Sequence, residues 1–404
     1  MIFVFFTTIK YVMPFFKTNN QIQDDHEVIL SRQNQLQNEW KNGNFKHLFS
    51  VSENLSCANQ CNCENMIGSV SVPVGLAGPA KVILSGQETN CFMPLATSEG
   101  ALVASVSRGL KAINQAGGSQ VIVKNFGMTR APVFAFKNGQ EAFAFVDYLE
   151  NQETIEKIKE ITEATSSHLK LKDLKSFVRG RNVYVRFSFF TDQAMGMNMV
   201  TIALQKLWED LLINYEGIEM LALSSNVCID KKASFINQLL GRGYSAQAEV
   251  FLSEEILQNT LKTTSKALLK THHSKNLMGS NLAGSNSQNM QFANVVAAFY
   301  LATGQDMAHV TEASQGNTII EETNDGLYVA VNLPDLPLGT IGGGVNLPSQ
   351  KELRELICQD KTSLTAVELA AILAIGVLAA EISGLAALSS NTLAKAHQRL
   401  ARKS

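Results

Sequence analysis

The chain lacks a strong net charge of either sign. Its 34 Lys and Arg residues nearly balance its 36 Asp and Glu residues, which leaves a formal charge of −2. This balance gives no bulk attraction to nucleic acid or to an anionic lipid surface, so neither partner is expected. An anionic small molecule must therefore be met by local clusters of Lys and Arg.

Cysteine is scarce for a chain of this length, with six in 404 residues. That number does not make a disulfide framework, and it predicts reduced thiols in a cytoplasmic protein. Cys57, Cys61 and Cys63 lie close together, but no nearby histidine or second cysteine pair completes a zinc pattern. We therefore expect no metal.

A long hydrophobic run of the membrane-spanning kind is also lacking at the start of the chain. The first 16 residues are apolar, but Lys10 interrupts them and Pro14 closes them, short of the roughly 20 residues that span a bilayer. No stable membrane span is expected. Two alternatives stay open here: Met13 is the true start, or the segment associates with a membrane. A later apolar segment, ELAAILAIGVLAAEISGLAALSS, contains two glutamates and predicts a buried core helix.

The residues that are present describe an ordered globular protein of two or three domains. Hydrophobic residues make up 45% of the chain and charged residues 17%, which allows a sizeable core. Residues 1–50 read as an N-terminal helical region. From about Ala131 to Leu223, the strand NVYVRFSFF, the glycine turn QAMGMNM and a following helix predict a compact α/β insertion. The predicted fold class is α+β, a large helix-rich domain with a small inserted α/β domain.

Two helices are predicted with defined ends. One follows the motif LATSEG, with Thr97 or Ser98 as its N-cap and a pair of glycines after its last turn. On this helix Ser105, Arg108 and Lys111 recur at every third residue and form a basic stripe. The other helix is SEEILQNTLKTTSKALLKTHH, which is capped by its first serine.

Four polar features could take part in chemistry. Glu99 follows a small-residue loop, where a glutamate most often only complements the helix dipole. Lys231 and Lys232 lie in the stretch NVCIDKKA, whose flanks are too apolar for an ordinary exposed turn. Asp306 closes an apolar helix, where an anion is disfavoured and must find a partner or shift its pKa. His397, on a basic C-terminal stretch, is uninformative by itself.

Taken together, these segments resemble the 3-hydroxy-3-methylglutaryl-coenzyme A (HMG-CoA) reductase family. The matching motifs follow the family's order over roughly residues 60–400: ENMIGSVSVPVGLAGP, MPLATSEGALVASVSRG, GMTRAPV, QAMGMNM, LSSNVCIDKKAS, KNLMGSNLAGS, GQDMA, GTIGGGVNL and KAHQ. The QAMGMNM and DKK stretches resemble the branch that includes the eukaryotic catalytic domains, without their membrane anchor.

The resemblance implies a four-electron reduction of a thioester to an alcohol, mevalonate, with two nicotinamide hydrides and release of coenzyme A (CoA). Lys231 matches the family's catalytic lysine, which suits an oxyanion at the thioester carbonyl. Glu99 matches the glutamate that protonates the aldehyde oxygen in the second reduction. Asp306 matches the aspartate that ties both into one network. His397 matches the histidine that protonates the departing thiolate.

The resemblance also implies three sets of residues that bind the substrate and the cofactor. The substrate carboxylate is expected at Arg130, Ser224, Lys232, Lys275 and Asn294. The CoA phosphates are expected at Ser105, Arg108, Lys111 and Lys262. The dinucleotide is expected at Met195, Gly196, Met197 and Asn198, with Gly342, Gly343 and Gly344 approaching it from the large domain.

The family pattern further implies a domain plan and an assembly. Residues 51–130 and 224–404 would form the large domain, the latter with the catalytic C-terminal segment. Residues 131–223 would form a small ferredoxin-like domain that binds NADP(H). The active sites would lie between subunits of a homodimer or homotetramer.

The chain departs from the family pattern at the cofactor. Gln193 replaces a usual aspartate, with Asp192 one residue early, and Ser167 replaces an arginine suited to the cofactor's 2′-phosphate. His168 or Lys170 would have to substitute, and neither meets phosphate as an arginine fork does. NADPH is the expected cofactor and NADH the alternative.

Two other functions compete with that of a biosynthetic reductase. One is a degradative, NAD-dependent reductase that oxidises mevalonate. The other is a non-catalytic CoA-binding scaffold, which the presence of Glu99, Lys231, Asp306 and His397 disfavours.

Overall fold

The structure is a computed structural model, and it describes residues 24–359, 361 and 363–390. Its strands are β1 Val74–Leu84, β2 Gln87–Ala96, β3 Ser119–Arg130, β4 Val133–Ala135, β5 Lys170–Arg179, β6 Asn182–Phe190, β7 Glu219–Ala222, β8 Arg242–Ser253, β9 Asn317–Thr323 and β10 Gly326–Leu336. The predicted strand NVYVRFSFF is β6, with the same ends.

The α-helices alternate with these strands along the chain. They are α1 Asp25–Glu39, α2 Glu53–Ser56, α3 Ala58–Cys61, α4 Leu102–Gln115, α5 Gly139–Glu150, α6 Gln152–Glu163, α7 Met197–Asp210, α8 Phe235–Leu240, α9 Glu254–Ile256, α10 Ser265–His272, α11 Ser280–Leu282, α12 Phe292–Thr303, α13 Val310–Ala313, α14 Pro348–Glu355 and α15 Ala366–Ser389. This mixture of helix and sheet confirms the predicted α+β class.

Strand β3 joins two sheets because it is long enough to pair in both. Its first part pairs in parallel with β1 and antiparallel with β8, in a sheet of order β2-β1-β3-β8-β10-β9. Its last residues, Met128–Arg130, pair instead with β6. The second sheet has the order β7-β4-β6-β5, flanked by α5, α6 and α7. This strand order with its helix crossovers is the ferredoxin-like arrangement.

Each sheet has its own hydrophobic core. The second core is built from residues between Met128 and Leu223, with Phe134, Phe145 and Phe187 at its centre. The large core packs β1–β3, β8 and β10 against α4, α12 and α15. The domain boundaries remain predictions, but the separation of the cores follows the same division of the chain.

The long apolar segment near the C-terminus is the central helix of the large core, α15. By length and composition it is the described helix that could cross a membrane, yet its whole apolar window is buried inside the protein. Its Glu381 is fully buried and accepts hydrogen bonds from the backbone of Met290 and Gln291 and from Thr318 Oγ1 at 2.6–3.2 Å. The prediction of a buried core helix is therefore confirmed.

Two predicted helices differ from the structure, one in where it begins and one in being interrupted. Helix α4 begins at Leu102 after Ala101 in a left-handed conformation (φ 74°), because Thr97 uses its Oγ1 to accept the Glu99 N–H at 2.9 Å and closes a turn there. The predicted helix from Ser253 to His273 is broken at Lys262, where φ is 60°. Thr264 then caps a new helix by accepting the Ala267 N–H at 3.2 Å, which ends the first one.

Glycine at position 109 allows α4 to touch α15. A Cβ on Gly109 would lie 1.9 Å from the Ala379 carbonyl oxygen, inside the backbone of the neighbouring helix. The separation of the two helices depends on this contact. The position of the segment just before α4, which carries Glu99, depends on it as well.

We predict that Gly109→Ala destabilises the protein, although Gly→Ala normally stabilises a helix interior by about 0.5–1 kcal/mol. The clash should lower the free energy of unfolding by about 2 kcal/mol or more, measured by urea denaturation. Gly139→Ala is the matched control, since its nearest neighbour is the Gly180 carbonyl oxygen at 3.4 Å. Equal stability of the two variants would contradict the prediction.

Candidate active site

The lysine pair lies on a loop with an unusual backbone. Asn226, Ile229 and Lys231 have φ values of 67°, 50° and 59°, in the left-handed region that side-chain-bearing residues rarely adopt. Thr129 Oγ1 donates to the Cys228 carbonyl at 2.8 Å, and the Lys231 N–H donates to Glu312 Oε1 at 3.0 Å. The surrounding fold therefore dictates the loop conformation, as is common at functional sites.

The Lys231 side chain meets Asp306. Lys231 Nζ lies 2.9 Å from Asp306 Oδ2, and each side chain is about two-fifths exposed, at 42% and 36%. Asp306 is the N-cap of a short 3₁₀ turn, Met307–His309, and accepts the Ala308 N–H at 3.0 Å. Burial acts to raise the pKa of Asp306, but Lys231, the Ala308 N–H and His309 together outweigh it, so the pKa lies below its ordinary value. The predicted partner of this carboxylate is therefore Lys231.

Glu99 lies apart from that pair in this structure. Its Oε1 accepts from Asn294 Nδ2 at 3.4 Å, and among the described residues no direct bond joins Glu99 to Lys231 or Asp306. Of the predicted network, the described part of the chain contains the bond between Lys231 and Asp306 but not a bond from either residue to Glu99. The fourth catalytic candidate, His397, lies outside the described residues.

Three of the predicted carboxylate-binding residues lie around the loop. Arg130 NH1 is 3.3 Å from Ser224 Oγ and 3.5 Å from Asp230 Oδ2, while Thr201 Oγ1 accepts from the same guanidinium at 2.9 Å. Lys232 is exposed beside them and donates to the Asp230 carbonyl at 3.3 Å. The structure leaves Lys275 exposed on a π-helical turn, and Asn294 contacts Glu99.

Two residues of the basic stripe on α4 contact α15, and the third is exposed to solvent. Ser105 Oγ lies 2.9 Å from Ser383 Oγ of α15, and the guanidinium of Arg108 donates to the hydroxyl and the carbonyl of the same serine. Burial lowers the pKa of Arg108. Lys111 is exposed on α4, and Lys262 is exposed directly after the π-helical turn that packs against α4. The CoA role of these four residues stays a prediction, and two of them are already bonded to α15.

The two predicted phosphate loops come together. Gly196 (φ 87°) precedes α7, and the residues before it pair with the other loop: Ala194 bridges to Ile341, and the Thr340 N–H donates to the Gln193 carbonyl at 2.8 Å. Gly342 and Gly343 have φ values of 83° and 57°, and no atom lies within 4 Å of where a Cβ would be. Open glycine backbone beside the start of a 14-residue helix suits a phosphate group.

The residues at the sequence departures have other partners. Gln193 Oε1 accepts the Ala366 N–H at 2.8 Å, so it caps α15. His168 Nδ1 lies 2.9 Å from Asp192 Oδ2, and Lys170 Nζ lies 2.8 Å from Glu163. Both side chains expected to replace the missing arginine therefore already contact carboxylates.

A buried charged cluster beneath the loop was missed from the sequence. Arg242, fully buried, donates to both carboxylate oxygens of Glu312 at 2.7 Å and to Asp230 Oδ1 at 3.0 Å. Asn237 Nδ2 donates to Asp335 Oδ2 at 2.5 Å and to Glu312 Oε2 at 3.4 Å. His309 Nε2 lies 2.9 Å from Asp230 Oδ1. The available signal was the polar residue at every third position in DMAHVTEASQ.

Burial and the neighbouring positive charge act in opposite directions on the pKa values of the carboxyls in this cluster. Burial raises the pKa of Glu312 to about 8, with Asp335 adding to the rise and Arg242 opposing it. Burial likewise raises the pKa of Asp335 to about 6. For Asp230 burial is outweighed by His309 and Arg242, which hold its pKa far below the usual range.

The same cluster has the outline of a metal site. Asp230, His309 and Glu312 each offer a ligand atom, all within 4.8 Å of one another. Arg242, however, already bonds both carboxylates, and its fixed positive charge takes the role that a cation would have. The arrangement favours an ion-pair cluster.

Comparison with known proteins gives the family. The sequence model of the family described as hydroxymethylglutaryl-coenzyme A reductase matches residues 29–402. A protein named 3-hydroxy-3-methylglutaryl-coenzyme A reductase from Methanocaldococcus jannaschii is 44% identical over 364 residues, 89% of each chain. The chain belongs to the HMG-CoA reductase family.

Other HMG-CoA reductases agree with this assignment. The reductase of Pyrococcus abyssi is 42% identical over 84% of this chain and 85% of its own, and reductase 2 of Dictyostelium discoideum is 40% identical over 84% and 66%. A solved class II reductase from Streptococcus pneumoniae, described as bound to NADPH, covers 90% of this chain and 94% of its own with a TM-score of 0.64. Its sequence identity of 21% makes that likeness one of fold.

The raised pKa of Glu312 predicts how stability depends on pH. The folded protein binds this proton more tightly than the unfolded chain, so the contribution of Glu312 to the free energy of unfolding should fall as pH rises from about 5 to about 8. The difference in unfolding free energy between the wild type and Glu312→Gln should fall over that range by roughly 1–4 kcal/mol. Urea denaturation measures it, with exposed Glu160→Gln as the control. A difference independent of pH would refute this.

Proposed function

We propose that the protein is an HMG-CoA reductase that reduces HMG-CoA to mevalonate and free CoA with two equivalents of NADPH. The observation that carries the proposal is the Lys231–Asp306 pair, 2.9 Å apart on a loop whose backbone the fold holds in a strained conformation. Family membership supplies the substrate class, and this pair supplies the cation that the chemistry requires.

The first reduction requires a stabilised oxyanion. When a nicotinamide cofactor is bound, it supplies the hydride that converts the thioester carbonyl to that oxyanion. A fixed ammonium stabilises such an oxygen most when it is held in place before the charge develops. Asp306 and the Glu312 acceptor hold the Lys231 side chain and backbone in this way.

The substrate carboxylate fits the basic groups on the other side of the loop. Arg130, Ser224 and Lys232 offer a guanidinium, a hydroxyl and an ammonium within one short stretch of surface. Arg130 is oriented by Thr201 and by Asp230, so its fork is presented with little freedom to lose on binding. We infer that the glutaryl carboxylate binds there, with Lys275 and Asn294 closing the site.

The remaining roles follow the same proposal. Glu99 would protonate the aldehyde oxygen once the substrate draws it toward Lys231, and His397 would protonate the CoA thiolate. Lys111 and Lys262 are the exposed candidates for the CoA phosphates. We further propose a cytoplasmic homodimer or homotetramer with its active sites between subunits.

The choice of nicotinamide is the finer part of the proposal. The adjoining glycine loops suit the pyrophosphate of either cofactor, and the NADPH of the Streptococcus pneumoniae enzyme supports NADPH here. The pairing of His168 with Asp192 and of Lys170 with Glu163 favours NADH, the cofactor of the alternative, a degradative reductase.

A steady-state assay with HMG-CoA and each nicotinamide tests the function and the cofactor together. The proposal requires oxidation of two reduced nicotinamides per CoA thiol released, with a higher kcat/KM for NADPH. A strong preference for NADH, with oxidation of mevalonate in the presence of CoA and NAD, would support the degradative alternative. Absence of both activities in folded protein would refute the proposed function.

Replacing Lys231 should remove turnover without removing binding. We predict that Lys231→Ala lowers kcat by about 10²–10³-fold, the usual loss for one oxyanion contact, and changes KM for HMG-CoA by less than about threefold. Steady-state kinetics measure both. Lys159→Ala, an exposed lysine on α6, is the control. Turnover within about tenfold of wild type would exclude the oxyanion role.

Replacing Lys232 should affect KM and leave kcat nearly unchanged, the opposite of the effect expected for Lys231. We predict that Lys232→Ala raises KM for HMG-CoA about tenfold or more, because a bond between charged groups is lost, while kcat stays near the wild-type value. An unchanged KM in the same assay would contradict the carboxylate role of this residue.

A further inference from the structure

The segment that begins at Asp306 contacts the loop that carries the lysine pair, residues 226–234, which we call the lysine loop. Four of its polar side chains, spaced three residues apart, contact that loop. We call them the docking stripe: Asp306, His309, Glu312 and Gln315. The stripe meets, in the same order, Lys231 Nζ at 2.9 Å, Asp230 Oδ1 at 2.9 Å, the Lys231 N–H at 3.0 Å and the Ser234 N–H at 2.9 Å.

His309 is the buried member of the stripe nearest to the Lys231–Asp306 pair. Its side chain is 0% exposed. Because the Asp230 carboxylate only accepts, Nε2 of His309 carries the hydrogen of their 2.9 Å bond. The other ring nitrogen, Nδ1, is also buried and faces Asp306 Oδ2 at 3.6 Å, with no closer partner among the described residues. One ring atom is thus committed to Asp230, and the other is directed at Asp306.

His309 faces three carboxylates, those of Asp230 at 2.9 Å, Glu312 at 3.5 Å and Asp306 at 3.6 Å. Asp230 and Asp306 are the two that bear on Lys231. Asp230 precedes the lysine in the chain and is held from below by Arg242. Asp306 holds the lysine's ammonium. Among the described side chains, the imidazole of His309 is the group that lies within 4 Å of both carboxylates. A buried histidine that only filled the core would not need this pair of contacts.

We propose that His309 is a positioning residue for the Lys231 ammonium, acting through Asp306 and Asp230. This inference rests on the proposed function, in which Lys231 meets the oxyanion. The rigid ring fixes the separation of the two carboxylates, and that separation fixes where Asp306 holds the ammonium. Without the ring, Asp306 can turn toward solvent and away from Lys231, and the ammonium then loses the partner that holds it.

His309→Gln tests the proposal with the least disturbance. The amide can still donate to Asp230, but it cannot face Asp306 with a second nitrogen at the same time. We expect kcat to fall about 10–100-fold, as for a catalytic group displaced by about 1 Å, with KM for HMG-CoA within about threefold of wild type. The thermal unfolding midpoint reports whether the variant is folded.

Two further measurements separate positioning from a general loss of structure. In His309→Ala, added imidazole should restore at least about a third of the lost kcat, whereas in His309→Gln it should restore none. His26→Gln is the control, because His26 on α1 also has a buried Nδ1 without a partner, and its kcat should equal that of the wild type. A kcat for folded His309→Gln within about threefold of wild type would overturn the proposal, as would failure of imidazole to rescue His309→Ala.

The crystal structure of His309→Gln supplies a test that does not depend on activity. We expect the distance between Lys231 Nζ and Asp306 Oδ2 to exceed about 4 Å in the variant, beyond the reach of a direct ion pair, and an unchanged distance would overturn the positioning role. If the wild type does not reduce HMG-CoA, the proposed function fails, while this distance still decides whether His309 positions the lysine.

Discussion

The buried guanidinium of Arg242 is the interaction on which the site depends. It lies where β3, β8 and the neighbouring sheet meet, and its donors reach four different parts of the fold: Thr129 of β3, Glu312 of α13, Asp230 of the lysine loop and the sulfur of Met197 at the start of α7. Removal of one partner from a buried ion pair typically costs about 3–5 kcal/mol. Because Arg242 serves several partners at once, the lysine loop, the segment after Asp306 and the start of the proposed cofactor helix form one electrostatic unit.

A second set of contacts ties that unit to the glycine loops. Gly304, with φ 75°, packs so closely that a Cβ would lie 2.3 Å from the Gly344 carbonyl oxygen. The next residue, Gln305, exchanges two hydrogen bonds with the backbone of Gly339 at 2.9 and 3.0 Å. Asp306 follows directly in the chain. The aspartate that holds Lys231 is therefore fixed to the loop proposed to meet the dinucleotide. In the proposed function, the same short segment would set the positions of both the hydride donor and the cation that meets the oxyanion.

Much of this could be predicted from the sequence where pattern and local chemistry agree. The alternation in β6, the apolar run of α15 and the glycine pair after α4 each determine a structure by themselves. The broken helix near Lys262 could not be predicted, because Thr264 caps a new helix in competition with an unbroken helical pattern. The bond between Asp306 and Lys231 was expected from the resemblance alone, since no local rule joins residues so far apart in the chain. Arg242 and Asp335 were missed because each is an isolated charge in the sequence, and such charges are normally exposed. Glu312 lies in the three-residue polar repeat that begins at Asp306, but no local rule predicts that this repeat is buried against Arg242.

The strained backbone at Lys231 explains why the loop and the docking stripe act as a pair. Each left-handed residue costs on the order of 1 kcal/mol, and the loop contains Asn226, Ile229 and Lys231 in that conformation. The offsetting bonds come largely from outside the loop, through the Glu312 and Gln315 acceptors and through Thr129. Because these bonds come from neighbouring segments, the loop by itself would not adopt the conformation that directs Lys231 toward Asp306. The segment that supplies the counter-charge for Lys231 therefore also supplies the backbone acceptors that shape its loop, so the lysine cannot be presented correctly unless its aspartate is already in position.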